Sequence, residues 1–412
     1  MNILIKQILF NNTITDVLIS ENRFQKIGNI DTTKTKIDKT IDGKDMAILP
    51  AFYNLHSHAA MCLLRGFCED LPLMPWLQNI WKKEATLTGE DIYDGTRLAI
   101  LEMIKSGTVF FADMYWFEKD ILRACEQMKI RCNIGVTFMD SLGRETIDNK
   151  LSLLDDYAKY DSDLICFAPA PHAIYTCSGE LYQKCFDNAV KNNLYLQTHL
   201  CETTTEVLDC KKAHNNLSPV EYLDSLGVLN NKTIAAHLVH ITDTDAQILH
   251  DRQVTAVHNP CSNMKLSSGA FNMPLAKKYK LNVALGTDGC SSNNNLSMTE
   301  EMKFACLLAK LAWESADSLT ANEVFSMATT NGAKSYGLHA GKIEEGYLAD
   351  CILVDLRNER LVPSWNLIYN MVYSADSSCI DTVICNGNIL MEHHRVEGEE
   401  EILDKAKKFL SK

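Results

Sequence analysis

The sequence is most informative first for what it lacks. It has no run of about 18 apolar residues, so no membrane-spanning helix is expected. Lysine and arginine (40) are outnumbered by aspartate and glutamate (53), giving a formal net charge of -13. The basic surplus of a protein that grips nucleic-acid phosphates is therefore missing. The opening residues, Met1 to Gln7, have neither the long apolar core nor the small-residue cleavage site of a secretory signal. Cysteine is plentiful at 15, but no two stand in a Cys-x-x-Cys pair. Without an export signal, this usage points to reduced thiols in a cytoplasmic protein and away from disulfides or cysteine-held structural zinc. No Gly-x-Gly-x-x-Gly turn follows the first buried strand, which weighs against a dinucleotide-binding doubly wound sheet. There is no internal repeat and no low-complexity tract.

What is present is an ordinary globular composition, 46% apolar and 23% charged, over 412 residues. That length calls for one large domain and a smaller one. Ile3–Ile5, Asp16–Ser20 and Arg23–Ile27 read as short strands separated by turns at Glu21-Asn22 and Gly28-Asn29. They are too few to bury a core alone. Ala349–Asp355 and Asp381–Leu390 are again strand-like, and a closing helix is expected over Glu399–Leu410. Between them, strands are expected at Ile48–Ser57, Val109–Tyr115, Cys132–Asp140, Leu164–Ala173, Leu194–Glu202, Thr233–His240, Thr255–Asn263 and Asn282–Gly289, each followed by a plausible helix. One helix is well marked: Thr88-Gly89-Glu90-Asp91 has the form of a capping box, apolar residues from Ile92 to Ile104 recur at helical spacing, and Gly107 ends it. Eight such units predict a TIM-type (β/α)8 barrel over residues 51–345. Residues 1–50 and 346–412 are expected to form one small β-sandwich domain built from both chain ends.

In such a barrel, chemistry gathers at the carboxyl ends of the strands. His56 and His58 stand there in a His-x-His pair, on one face of the first strand because side chains alternate. His172 ends the fourth strand, His199 and Glu202 the fifth, His237 the sixth, His258 the seventh and Asp288 the eighth. A purely solvated role would scatter histidines over helices and loops. The concentration at strand tips points to one divalent metal held by His56, His58, His199 and Asp288, a donor set that suits zinc and also ferrous iron. Such a metal lowers the pKa of a bound water to about 7. Glu202 is placed to shuttle a proton, and His237 to hydrogen-bond the reacting oxygen. Taken singly, Glu202 could equally be a carboxylate favoured at a helix start, and His237 a satisfied core histidine. His214, His240, His250, His393 and His394 read as structural or surface residues.

Leu55-His56-Ser57-His58, Thr198-His199-x-x-Glu202, Ala236-His237, His258-Asn259-Pro260-x-Ser262-Asn263 and Gly286-Thr287-Asp288-Gly289 together resemble the amidohydrolase superfamily, in its deaminase and chlorohydrolase branch. The resemblance extends over essentially the whole chain, including Gly341–Gly346 and Ala349-Asp350. No lysine stands at the fourth strand tip, where binuclear members carry one, so a single metal is implied. Arg65-Gly66, Asp70–Leu77 and Ile80–Glu84 resemble the 5′-methylthioadenosine/S-adenosylhomocysteine deaminases. That resemblance implies homo-oligomers acting on a small purine nucleoside, with hydrolytic deamination at C6 giving an inosine-type product and ammonia. It assigns Glu84 to the ribose hydroxyls, Trp76 to the pocket wall, His172 to the nucleoside and Ser292 to the purine. It also assigns Glu202, His237 and Asp288 to catalysis. Without the resemblance, Glu84 would read as an exposed helix residue. Arg144 matches one of two arginines expected to bind a distal carboxylate, while Leu164 stands at the apparent position of the other. This favours adenosine or 5′-methylthioadenosine over S-adenosylhomocysteine. Guanine or 8-oxoguanine deamination and triazine dechlorination are the rival chemistries, and a non-catalytic scaffold is the remote one.

Overall fold

A computed structural model describes residues 1–33 and 35–411. Among these, the first five strands are β1 (Asn2–Phe10), β2 (Thr13–Ser20), β3 (Arg23–Ile27), β4 (Lys39–Asp42) and β5 (Met46–Pro50). Next come β6 (Phe52–His58), β7 (Thr108–Tyr115), β8 (Arg131–Phe138) and β9 (Ile165–Pro171). They are followed by β10 (Leu196–Leu200), β11 (Thr233–His237), β12 (Thr255–His258), β13 (Asn282–Leu285) and the short β14 (Asp288–Gly289). The chain closes with β15 (Cys351–Asp355), β16 (Ile380–Cys385), β17 (Asn388–Met391) and a helix over Glu399–Lys408.

The central strands form two parallel sheets, ordered β14-β6-β7-β8-β9 and β10-β11-β12-β13. Every residue of β6, β7 and β8 is buried, which explains why these segments read as near-continuous apolar runs. The sheets touch at both margins. The His199 N–H donates to the His172 carbonyl (3.0 Å), linking β10 to the end of β9. On the other side the Asn54 side chain bridges β6 to Thr287, donating to its hydroxyl (2.7 Å) and accepting from its N–H (3.0 Å).

Both chain ends build a third sheet, ordered β17-β16-β15-β5-β1-β2-β3, with β4 beside β1. Its own apolar cluster includes Ile3, Ile5, Ile8, Val17, Ile19, Phe24, Ile48, Cys351, Leu353 and Ile384. Two sequence expectations change here. The run Ile48–Ser57 is not one strand: it breaks at Ala51, so Met46–Pro50 pairs with β15 in the terminal sheet while Phe52–His58 enters the parallel sheet. Asp381–Leu390 is likewise a hairpin, turned at Asn386-Gly387, both with positive φ (50° and 73°).

Helix α1 (Leu73–Glu84) lies over the carboxyl ends of the strands, where it lines the cavity, and α2 (Gly89–Lys105) packs against β7. The capping box on α2 is present, with Thr88 and Asp91 satisfying each other's backbone N–H groups. Gly107 follows with φ +87°, where a Cβ would come within 2.9 Å of Ile380, so glycine is required on both counts. At the amino ends of the strands a buried ion pair ties the terminal sheet to the parallel one. Arg131 donates to both oxygens of fully buried Asp350 (3.2 and 3.1 Å). The Tyr53 hydroxyl (2.5 Å) and the Asn386 N–H (2.6 Å) donate to the same carboxylate. Removing that carboxylate leaves a buried guanidinium unpaired, so Asp350→Ala is expected to destabilise the fold by about 3–5 kcal/mol. The measurement is a urea titration, read as a fall in the midpoint.

Candidate active site

The polar strand tips converge at the carboxyl ends of the two sheets. His56 and His58, two apart on β6, face the same side with ring centroids 4.9 Å apart. His199 on β10 brings Nε2 to 3.3 Å from His58 Nε2. The Asp288 carboxylate lies 3.2 Å from His58 Nε2 and 3.7 Å from His56 Nε2. His237, ending β11, reaches 3.9 Å from both Asp288 and Glu202. All six side chains are buried. Three residues at these tips, Cys201, His237 and Asp288, hold left-handed backbone (φ 52°, 74° and 60°), a conformation costly enough to mark functional turns.

Neighbouring groups fix how each ring is presented. A carbonyl can only accept, so Met114 O at 2.6 Å places a hydrogen on His58 Nδ1, and His172 O at 2.7 Å does the same for His199. Both rings then turn Nε2 to the centre, as a metal ligand's outer contact does. Asn263 Oδ1 holds His237 Nδ1 at 2.8 Å. The Ser262 hydroxyl donates to Asp288 (2.6 Å) and the Ser268 hydroxyl to Glu202 (3.2 Å). Glu206 accepts from the N–H groups of Cys201 and Glu202, both at 2.8 Å, and so clamps the turn that carries Glu202.

The electrostatics suit a cation. Burial, reinforced by neighbouring imidazoles, pushes His56 and His199 well below the usual histidine range, so both are neutral with free lone pairs. Burial also lowers His172 to about 3. Burial opposes the charged forms of His58 and Asp288, yet their mutual hydrogen bond wins, raising His58 to about 9 and holding Asp288 far below its ordinary value. A divalent ion between them would displace that proton, as metal binding to histidine does generally. Burial raises Glu202, which favours its proton-holding form. Among the described residues His56 Nε2 is buried with no hydrogen-bond partner, an orphan that a metal would satisfy. Ligand atoms of His56, His58 and Asp288, and of His56, His199 and His237, lie within 4.8 Å of one another. The donor set therefore fits a divalent metal.

A small cavity of about 50 Å³ opens onto this cluster, lined by His58, His172, His199, Glu202, His237 and Asp288. One face of α1 forms its far wall, because Leu73, Trp76, Leu77, Trp81 and Glu84 recur at helical spacing. Glu84 is thus on the cavity side of its helix rather than exposed. On this wall the buried Trp76 Nε1 has no hydrogen-bond partner among the described residues, and Glu84 sits beside the hydroxyl of Tyr115, which ends β7. A second cavity of about 1290 Å³ continues outward, sharing Trp81, Glu84, Trp116, Met139 and Tyr175 with the first.

Other expectations shift. Arg144 begins helix Arg144–Tyr157 with its side chain 87% exposed, turned to Asp148 and lining neither cavity. Ser292 is buried and donates to the Gly289 carbonyl (3.1 Å), also outside both linings. Leu164 immediately precedes β9, at the opposite end of that strand from His172, so it is no counterpart to a substrate-binding arginine. The expected seventh strand stops at His258, whose ring stacks on Phe271, and Pro260–Lys265 is helical because Pro260 suits a first helical turn. Ser262 and Asn263 stand in a motif visible in the sequence, but what they touch is not readable there. Ser268 has no local pattern to signal it; Glu206 stands in a Thr203-x-x-Glu206 helix start that marks it as a capping residue, but its grip on the Glu202 turn is not readable there.

The amidohydrolase family profile matches residues 47–390. The chain belongs to the amidohydrolase family. It is 43% identical over 391 residues to 5-methylthioadenosine/S-adenosylhomocysteine deaminase 1 of Archaeoglobus fulgidus, covering 93% of this chain and 92% of that relative. It is 39% identical over 412 residues to the 5′-deoxyadenosine deaminase of Methanocaldococcus jannaschii, covering 98% of each. Among solved structures, an adenosine deaminase from Xanthomonas campestris with bound zinc superposes with a TM-score of 0.93 at 29% identity, covering 100% of this chain and 98% of that one. The resemblance to amidohydrolases read from the strand-tip motifs is therefore upheld. Among the described residues no helix is long and apolar enough to cross a membrane.

Because a bound ligand stabilises the state that binds it, removal of metal from this amidohydrolase with a chelator is expected to lower its Tm, and zinc to restore it. His56→Ala should bind less than one metal per chain by elemental analysis and show no zinc-dependent rise in Tm.

Proposed function

We propose that this amidohydrolase is a metal-dependent aminohydrolase that removes the 6-amino group of adenine nucleosides, yielding an inosine-type product and ammonia. The observation that carries this reading is one continuous pocket with His56, His58, His199 and Asp288 beside Glu202 and His237 at its inner end and Glu84 at its outer wall. The names of its relatives, deaminases of adenosine, 5′-deoxyadenosine and 5′-methylthioadenosine or S-adenosylhomocysteine, support the same substrate class. The two parallel sheets are read as one closed (β/α)8 barrel over residues 51–345. Residues 1–50 and 346–412 are read as a separate small β-sandwich domain.

His56, His58, His199 and Asp288 are the proposed ligands of one divalent metal; zinc is the first choice, and ferrous iron suits the same donors. When bound, the metal supplies Lewis-acid polarisation that activates water at neutral pH. The remaining steps belong to side chains. Glu202, whose carboxyl is shifted by burial toward its proton-holding form, donates to N1 of the adenine ring so that the ring can take up charge as C6 is attacked. Asp288 accepts a proton from the attacking water, with its second oxygen steadied by Ser262. His237 has its Nδ1 occupied by Asn263 and turns Nε2 inward, where it accepts a hydrogen bond from the incoming oxygen and orients it. The proton held by Asp288 then passes to the 6-amino group, which leaves as ammonia as the C6–N bond breaks. Glu84 accepts both ribose hydroxyls, a natural task for a carboxylate on the pocket wall. Trp76 and His172 wall the nucleoside.

The test is ammonia release from metal-loaded protein given adenosine, 5′-methylthioadenosine, adenine, guanine and a chlorotriazine side by side. The nucleosides are expected to react and the others not; turnover of guanine or the triazine alone would overturn the reading. Glu202→Gln should retain metal and lose several orders of magnitude in kcat. Glu84→Ala should lower nucleoside kcat/KM by about 10⁴, the discrimination typical of a site built to bind hydroxyls.

A further inference from the structure

If Glu84 holds the ribose hydroxyls, as the proposed function requires, the 5′ carbon of a bound nucleoside lies where the inner cavity opens into the outer one. The outer cavity, about 1290 Å³, then receives whatever the 5′ carbon carries, and its wall decides which substituents are accepted.

Much of that wall is apolar, with Met74, Phe117, Leu142 and Ile174 among its residues. Its acidic groups are Glu84, Glu118 and Asp140, and Lys150 is the one ammonium. Among the described residues no arginine lines it. Asp140 accepts from the N–H and the hydroxyl of Ser178 (2.6 and 3.0 Å) and has no cationic partner there. Lys150, on helix Arg144–Tyr157, is in direct contact with Glu118, the first residue of helix Glu118–Met128. Both members of that pair are largely enclosed, with side chains 17% and 10% exposed, and the ammonium lies 5.9 Å from the Trp116 ring. The nearest alternative cation in sequence, Arg144, points away toward Asp148.

An anionic tail entering this cavity meets three carboxylates and one cation that is already neutralised. To use Lys150 it must either share the ammonium with Glu118, whose negative charge repels it, or separate the ion pair and leave Glu118 buried without a partner; both are unfavourable. A neutral tail meets no such obstacle and gains the apolar wall. We propose that the outer cavity selects nucleosides whose 5′ substituent carries no net negative charge, and that Glu118 sets this preference by masking Lys150. Glu118 and Lys150 are thus specificity determinants of this chain.

The decisive comparison uses two substrates of nearly equal size, 5′-S-(2-carboxyethyl)-5′-thioadenosine and its carboxamide, with 5′-methylthioadenosine as reference. With metal-loaded wild-type protein, kcat/KM for the amide is expected to exceed that for the carboxylate by about tenfold or more, the range spanned by a single charge-assisted hydrogen bond. Glu118→Gln frees the ammonium and should shrink that ratio by about tenfold. Adding Lys150→Met to Glu118→Gln should restore discrimination against the carboxylate. Equal kcat/KM for the two substrates in the wild type overturns the proposal whatever the variants do, and so does a ratio unmoved by Glu118→Gln in protein that still deaminates 5′-methylthioadenosine. If 5′-methylthioadenosine reacts and the ratio is one, only this inference fails. If no nucleoside reacts, the proposed function fails and takes the inference with it.

Discussion

The Asp288 carboxylate is the contact on which the rest of the site depends. It sits on β14, which pairs with β6 at Ser57 and His58, so its position is fixed by the same strand that carries two of the imidazoles. One oxygen faces His58 and the Gly289 N–H (2.8 Å), the other Ser262 and His237. Four elements thus meet at one buried negative charge. Such a charge is costly to bury unless it is paired, and each imidazole around it answers that cost in part. The same convergence makes a cation site, because neutral rings at His56 and His199 offer lone pairs where Asp288 offers charge.

The scaffold separates stability from chemistry. At the amino ends of the strands, the Asp350 carboxylate takes hydrogen bonds from Arg131, Tyr53 and the Asn386 N–H, so its charge is matched. At the carboxyl ends, His56 Nε2 at the metal cluster and Trp76 Nε1 along the pocket have no hydrogen-bond partner among the described residues. Buried polar atoms left open beside a cavity mark it as a binding surface. The left-handed turns at Cys201, His237 and Asp288 fall on the open side as well. Outward from this centre, the cavity changes from a polar floor to a largely apolar vestibule whose fixed charges are mainly acidic.

Several features are legible in the chain because they are local. The β–α alternation, the capping box at Thr88 and the His-x-His pair each follow from spacing that neighbouring residues enforce. The tips of β6, β10, β11 and β14 are readable for the same reason. The errors share a different origin. Ile48–Ser57 looks like one strand because both halves are apolar, and only pairing partners far away in sequence divide it at Ala51. Asp381–Leu390 conceals a hairpin whose Asn386-Gly387 turn carries the signal. Ser292 stands close in sequence to Asp288, but its side chain bonds its own turn, and Arg144 begins a helix that faces Asp148 outside.

The sequence by itself determined which groups could do chemistry: histidines and carboxylates placed at strand ends, where alternation dictates the facing side. Tertiary structure alone decided how those groups meet. Glu84 lies on the cavity face of α1 only because that helix crosses the strand tips, and Glu206 acts on Glu202 only because a turn folds back upon itself. Lys150 is silenced by Glu118 through the packing of two helices. Spacing along a chain fixes direction within an element, whereas distance and charge balance between elements arise from packing.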